Sequence, residues 1–371
     1  MKKIVLSLIV MQLTMIALAG NFKWATKVYD YKPAPGQFVN TLPLYNDGEP
    51  KDSILMRVQK SLCGYYEVED GDSAFVEPGM ITLGAYGGYV VFGFDHPLVN
   101  VEGEYDLYIR GNAFQANASS SAGGSSEPGI VMVSCDVNRN GVPDDAWYEL
   151  AGSEYHNPKT QHNYRIVYKK PKDLTKAVDI AWESNDVDSL QNGVVSANAF
   201  HGQSYWPLWE TEDSLVFEGA KLRCNAVDES GNGTYWVQHF FDWGYVDNRP
   251  NTDTIACSFK LDWAVDAGGN PVKLPYIDFV KVYNAENQMC GWLGETSTEV
   301  AGAIDLHPDV PMPVLKGDMN GDGVIDVSDV TSLINVILGS MTAAPALSDM
   351  NGDGVVDVSD VTALINVILG S

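Results

Sequence analysis

Between residues 21 and 306 the apolar positions fall in short runs, not long stripes. Tyr89-Val90-Val91-Phe92-Gly93-Phe94, Gly129-Ile130-Val131-Met132-Val133, Tyr164-Arg165-Ile166-Val167-Tyr168 and Ile277-Asp278-Phe279-Val280-Lys281-Val282-Tyr283 are examples. They are rich in β-branched and aromatic residues and are bounded by Gly, Asn, Asp and Pro, which reads as strands between turns. No sustained 3.6-residue period is visible in this stretch. Many short strands with frequent turn signals predict a mainly β domain, a β-sandwich or jelly roll, over 21–306.

The pattern changes after a Pro-dense linker at 307–317. Val330, Leu333, Ile334 and Ile337 fall at i, i+3, i+4 and i+7, and Val361, Leu364, Ile365 and Ile368 repeat the spacing. This predicts two amphipathic helices whose stripes bury each other. Gly339 and Gly370 suit their C-caps. The expected fold is therefore a β-sandwich or jelly-roll domain followed by a small all-α domain at 318–371.

That second domain is a duplication. The string Asp318 to Ser340 recurs as Asp349 to Ser371, with only Ile325→Val356 and Ser332→Ala363 differing. Each copy has the ligand spacing of a twelve-position EF-type loop. Asp318, Asn320, Asp322, Val324 (through its carbonyl), Asp326 and Asp329 hold positions 1, 3, 5, 7, 9 and 12. Asp349, Asn351, Asp353, Val355, Asp357 and Asp360 hold them in the second copy. Gly323 and Gly354 permit the turn at position 6. Hard oxygens in this order suit Ca²⁺, so two calcium ions are expected. Neither half has much core alone, so metal binding should supply folding energy.

Ordinary EF-hands also have an entering helix. Here Pro311 and Pro313 precede the first loop, Pro345 precedes the second, and position 12 is Asp, not Glu. A duplicated loop with an exit helix only resembles type I dockerin modules. The resemblance implies a cohesin-like partner, with recognition at loop positions 10 and 11: Val327-Ser328 and Val358-Ser359. The two pairs are identical, so either repeat is suited to face the partner.

A third loop lies inside the β-domain. Asp136, Asn138, Asn140 and Gly141 repeat the 1-3-5-6 order, and Asp144 and Asp145 can close the site. Position 12 is Trp147, which cannot coordinate. The loop is similar to the acidic loops of thrombospondin type 3 repeats and is either a third calcium site or an Asx-rich turn.

Charge and termini narrow the context. Lys2 and Lys3, then the apolar run from Ile4 to Leu18 and Ala17-Leu18-Ala19, read as a signal peptide over 1–19. No cysteine follows it, so a secreted or surface protein is expected, not a lipoprotein. No other segment is apolar enough to insert in a membrane. The formal net charge of −26 disfavours nucleic acid and anionic lipid as partners. Five cysteines without C-x-x-C spacing give no zinc or redox motif and leave at least one thiol unpaired.

Catalytic signals are weak. Six scattered histidines form no metal spacing, and no nucleophile elbow or P-loop occurs. Among many acids, Glu149, Glu295 and Glu299 can be named for a glycosidase pair, but spacing does not select them. Aromatics say more. Tyr205-Trp206-Pro207-Leu208-Trp209 and Phe240-Phe241-Asp242-Trp243 suggest sugar-stacking platforms, with Trp206 and Trp209 as candidates, unless these residues fill the core. Pro33–Val39, Leu83–Gly88, Gly111–Phe114, Glu127–Val131 and Gly291–Glu299 resemble strings of secreted "cell surface protein" β-domains of gut Bacteroidetes, a family that implies location and a jelly-roll-like fold, not a reaction. The reading is a non-catalytic module that binds a glycan or surface ligand and is docked through its tail. The alternatives are a dockerin-borne glycoside hydrolase and a structural or adhesive surface component.

Overall fold

The strand read from Ile277 to Tyr283 lies inside the largest sheet of the first unit. The computed structural model describes residues 22–69, 72–117, 122–187, 191–313, 315–320, 325–342 and 345–369. The signal-peptide reading falls outside these residues. The chain divides into two units, one up to Asp309 and one from Val310.

The first unit is built on an antiparallel sheet of six strands. Their order is Lys27–Lys32, Tyr89–Val99, Tyr276–Asn284, Gly129–Ser134, Tyr148–Leu150 and Ala264–Val265. Its central strands are apolar on both faces because both faces are covered. Val280 and Val282 lie beside Phe92, Val90, Val133 and Val131 on one face. That face packs on Ile54, Val58 and Leu62. Tyr283 pairs with Tyr89 and Ile130 on the other face. There the sheet meets Ala220, Leu222, Phe241 and Tyr245.

A second antiparallel sheet runs Asn192–Val195, Ile180–Ser184, Gln161–Lys169 and Ser214–Lys221. It alternates cleanly. Tyr164, Ile166 and Tyr168 point into a core with Trp182, Leu215 and Phe217, while Asn163 and Arg165 are exposed. One buried face and one wet face explain that period of two.

Residues 51–62 depart from the expectation of strands alone. Lys51–Leu62 is an α-helix, with Ile54, Val58 and Leu62 buried. Its apolar stripe is a single file at i, i+4 and i+8. Its N-cap is Pro50, which offers no side-chain bond. A narrow stripe without a cap residue gives little periodic signal. The five cysteines are all unpaired, with Cys63, Cys257 and Cys290 buried. Among the described residues no helix is long and apolar enough to cross a membrane.

The second unit holds helices Val327–Ile337 and Val358–Ile368 and a short helical turn, Pro345–Ser348. Leu333, Leu364 and Met319 are its buried apolar residues. Ile334 and Ile365 were expected in the shared stripe but stand 42 % and 39 % exposed. Each 11-residue helix turns only a strip one residue wide to its partner. Gly339 closes the first helix at φ 72°. Gly339 N donates to Val336 O and Ser340 N to Asn335 O, a Schellman end. Gly370 lies outside the described residues.

Candidate metal centres

The second loop is described throughout. Asp349 Oδ1 accepts from Gly352 N at 2.7 Å and Asp353 N at 3.1 Å, and its Oδ2 accepts from Gly354 N at 2.8 Å. Asn351 Oδ1 accepts from Asp353 N at 2.9 Å, and Asp353 Oδ1 from Val355 N at 2.9 Å. These bonds wind the chain so that positions 1, 3 and 5 share one turn. Gly354 sits at φ 86°. Nothing would touch a Cβ there, so backbone conformation, not crowding, calls for glycine.

Position 12 ties loop to helix. Asp360 is fully buried. Its Oδ1 accepts from Asn351 N at 3.1 Å and its Oδ2 from Asp357 N at 2.8 Å. Asp329 does the same in the first repeat, accepting from Met319 N at 2.8 Å and Asp326 N at 2.9 Å. Asp326 and Asp357 in turn cap their helices, each accepting from the Ser N–H two residues on at 2.7 Å. Each end is a capping box in which Asp takes the place of Glu. Of the first loop, residues 321–324, including Asp322 and Val324, lie outside the described residues.

The donor set fits calcium. A carboxylate oxygen that accepts one N–H bond keeps a lone pair for a metal. Asp349, Asn351, Asp353, Asp357, Asp360 and the Val355 carbonyl offer hard oxygens, and Ca²⁺ takes six to eight. From Val310 on, the sequence has eight aspartates and one lysine. Protein cations are too few to neutralise these loops.

At loop position 10, Val327 and Val358 stand 71 % and 70 % exposed. The serines beside them are tethered. Ser328 Oγ donates to Asp326 Oδ1 and accepts from Asn320 Nδ2. Ser359 does likewise with Asp357 and Asn351. The valines are therefore the free apolar contacts.

The Asp136 loop shares four of the bonds that wind the second loop. Asp136 Oδ1 accepts from Asn140 N at 3.1 Å and its Oδ2 from Gly141 N at 2.8 Å. Asn138 Oδ1 accepts from Asn140 N, and Asn140 Oδ1 from Val142 N. Gly141 has φ 70°. Asp145 Oδ2 accepts from Val137 N at 3.0 Å, a closing bond like that of Asp360. Asp144 is held to the Asn138 and Asn140 amides, and these bonds lower its pKa. Sequence reading missed a further loop of this kind. Asp228, Ser230, Asn232 and Gly233 occupy the same positions, with Gly233 N donating to Asp228 Oδ2 at 2.7 Å and φ 82° at Gly233. The signal was the same 1-3-5-6 order, with Ser at position 3.

Trp206 and Trp209 need correction as ligand aromatics. They are 0 % and 8 % exposed. Trp206 packs among Tyr86, Tyr205 and Phe217. Trp209 stacks on Tyr31 at 6.0 Å between ring centres. Asn40 pins this segment by donating to Ser204 O and Trp206 O and accepting from Leu208 N. Burial of large apolar surface outweighs any platform role here. Glu299 and Glu295 are also internal. Carboxylate oxygens of Glu127, Asp247 and Glu299 lie within 4.8 Å of one another. Burial raises all three, Glu127 to about 7. Thr82, Ser297 and backbone N–H groups bind this cluster into the core. Glu149 lies apart from it.

A search of curated proteins returned no match. Residues 316–369 match the family model of the Dockerin type I domain, and this stretch carries a type I dockerin domain.

Proposed function

We propose that this chain is an exported protein whose C-terminal unit folds around two calcium ions and docks onto a cohesin-like partner. The loop-to-helix clamp made by Asp329 and Asp360 carries this reading. One carboxylate joins each metal loop to the start of an exit helix, so losing the ion loosens the helix that presents Val327 or Val358. The two repeats offer equivalent faces. A third ion in the Asp136 loop, closed by Asp144 and Asp145, follows from its shared winding with the Asp349 loop. The β-domain is the cargo, a non-catalytic module for a glycan or another surface ligand. The run over residues 1–19 directs export.

Docking is tested by titrating the full chain against a panel of type I cohesins with calcium and then with EDTA. Binding should require calcium. Val327→Asp or Val358→Asp alone should weaken it no more than about twofold, the statistical loss of one of two faces. The double variant should abolish it. Binding that survives EDTA or the double variant, or no binding to any cohesin, would overturn the docking assignment.

A further inference from the structure

One cleft of the β-domain has the build of a ligand site. It is about 590 Å³, within the range of small-molecule sites. The six-stranded sheet forms its floor, and strands Gln161–Lys169 and Ser214–Lys221 contribute the facing wall.

The floor can be read from strand register. Lys281 pairs with Met132, Met132 with Glu149, and Glu149 with Val265. Directly paired residues of an antiparallel sheet project from the same face. Strands lie about 4.8 Å apart, so the backbones at Glu149 and Lys281 stand roughly 10 Å apart across Met132.

Among the described residues neither charged group makes a hydrogen bond or a salt bridge. Among the described residues no donor reaches the Glu149 carboxyl, and desolvation alone raises it to about 7. Lys281 Nζ lies over the Tyr89 ring at 4.4 Å, and burial lowers its pKa against the opposing pull of Asp30. A desolvated polar group without a partner is costly unless a ligand completes it. The walls are aromatic. The Tyr283 hydroxyl accepts from Ala220 N and donates to Ala220 O, and its ring closes one end. Gly219 allows that approach, since a Cβ there would meet the Tyr283 ring at 3.0 Å. Trp147 and Tyr155 line the same space.

The electrostatics limit the ligand. Glu149, Glu218 and Asp266 line the cleft against Lys281, in a chain of net charge −26. An anion would be repelled. A neutral ring compound rich in hydroxyls satisfies the whole set. Its apolar face suits an indole, and its hydroxyls serve both an acceptor and a donor.

We propose that this cleft is the saccharide site of the β-domain, taking one or two neutral sugar residues with a ring against Trp147 and hydroxyls on Glu149 and Lys281. The proposal rests on reading the β-domain as a binding module and gives that module its site.

Calorimetric titration of the full chain with neutral cello-, xylo-, manno- and galacto-oligosaccharides tests it. At least one series should bind saturably. Trp147→Ala and Lys281→Met should each weaken binding at least tenfold, while Trp147→Phe should recover most of it. Trp292→Ala, an exposed tryptophan outside the lining, should leave affinity unchanged. The melting temperature of each variant must match the parent, so that a binding loss is not an unfolding loss. Sugar binding that the cleft variants leave intact would overturn the cleft assignment and spare the binding-module reading. No binding by the parent chain to any series would overturn both. Release of reducing ends that Glu149→Gln abolishes would uphold the cleft as the sugar site and overturn the non-catalytic reading.

Discussion

Asp360 does two things with one side chain. Its Oδ1 holds the loop at Asn351 and its Oδ2 holds the helix start at Asp357. Asp329 repeats both bonds in the first copy. The short Asp side chain at position 12 thus bridges the loop and the helix start. The metal count follows from single residues. Two loops carry the full ligand order, and the Asp136 loop carries its 1-3-5-6 part with Asp144 and Asp145 to close it, so on the proposed reading titration of the metal-free chain should give three calcium ions per molecule. Asp318→Ala with Asp349→Ala should leave one, and Asp136→Ala alone should leave two. Calcium counted by calorimetry or by equilibrium dialysis decides this. An unchanged count in the double variant would remove the ligand assignment, and an unchanged count in Asp136→Ala would remove the third site. The ligand residues were legible in the sequence because their spacing is fixed by the turn. For Trp206 and Trp209 the sequence left core and platform both open, since an indole has the same letter inside and outside. Their burial and the hydrogen bonds of Asn40 to their segment show which applies.

At the scale of elements, the exit helices and several of the longer strands could be read directly. Val280, Val282, Val90 and Phe92 have the chemistry of a strand covered on both faces, and the structure covers both. Helix Lys51–Leu62 was missed because three buried residues in single file carry little periodicity and Pro50 gives no cap. The exit helices show the opposite balance. Their caps are explicit in Asp326 and Asp357, yet the stripe is narrower than the sequence suggests. Ile334 and Ile365 face outward, where they extend the apolar surface begun by Val327 and Val358. An isolated helix of this length is marginal in water. The small core around Leu333 and Leu364 adds little, so the loops must hold the helices in place. Sheet pairing was not legible at all. Tyr276–Asn284 lies between Tyr89–Val99 and Gly129–Ser134, partners far away in sequence, and no local pattern specifies such neighbours. For the same reason no reading of Glu149 alone places it in line with Lys281.

At the scale of the whole molecule, the two units should answer differently to pH. Burial raises Glu149 and Glu127 to about 7 and Glu295 to about 8, and also raises Asp247, Glu286 and Glu299. A free Glu titrates near about 4.3. Between these limits the folded β-domain keeps protons that the unfolded chain releases. Its stability therefore falls as pH rises through the window. A calorimetric scan should show its transition roughly 5 °C higher at about pH 5.5 than at about pH 8. The reverse order would contradict the burial of these acids. The calcium unit gains nothing from acid, because protons compete with the metal for its carboxylates.

Calcium is the claim on which the docking role depends, and one scan tests it most directly. The full chain is melted with excess calcium and again with EDTA. At a hundredfold excess over Kd, one bound ion adds about 2.7 kcal/mol. For a unit of this size that moves its transition by about 10 °C or more. EDTA should lower or remove the transition of the C-terminal unit and leave a β-domain transition in place. Superimposable scans with and without calcium would contradict the claim.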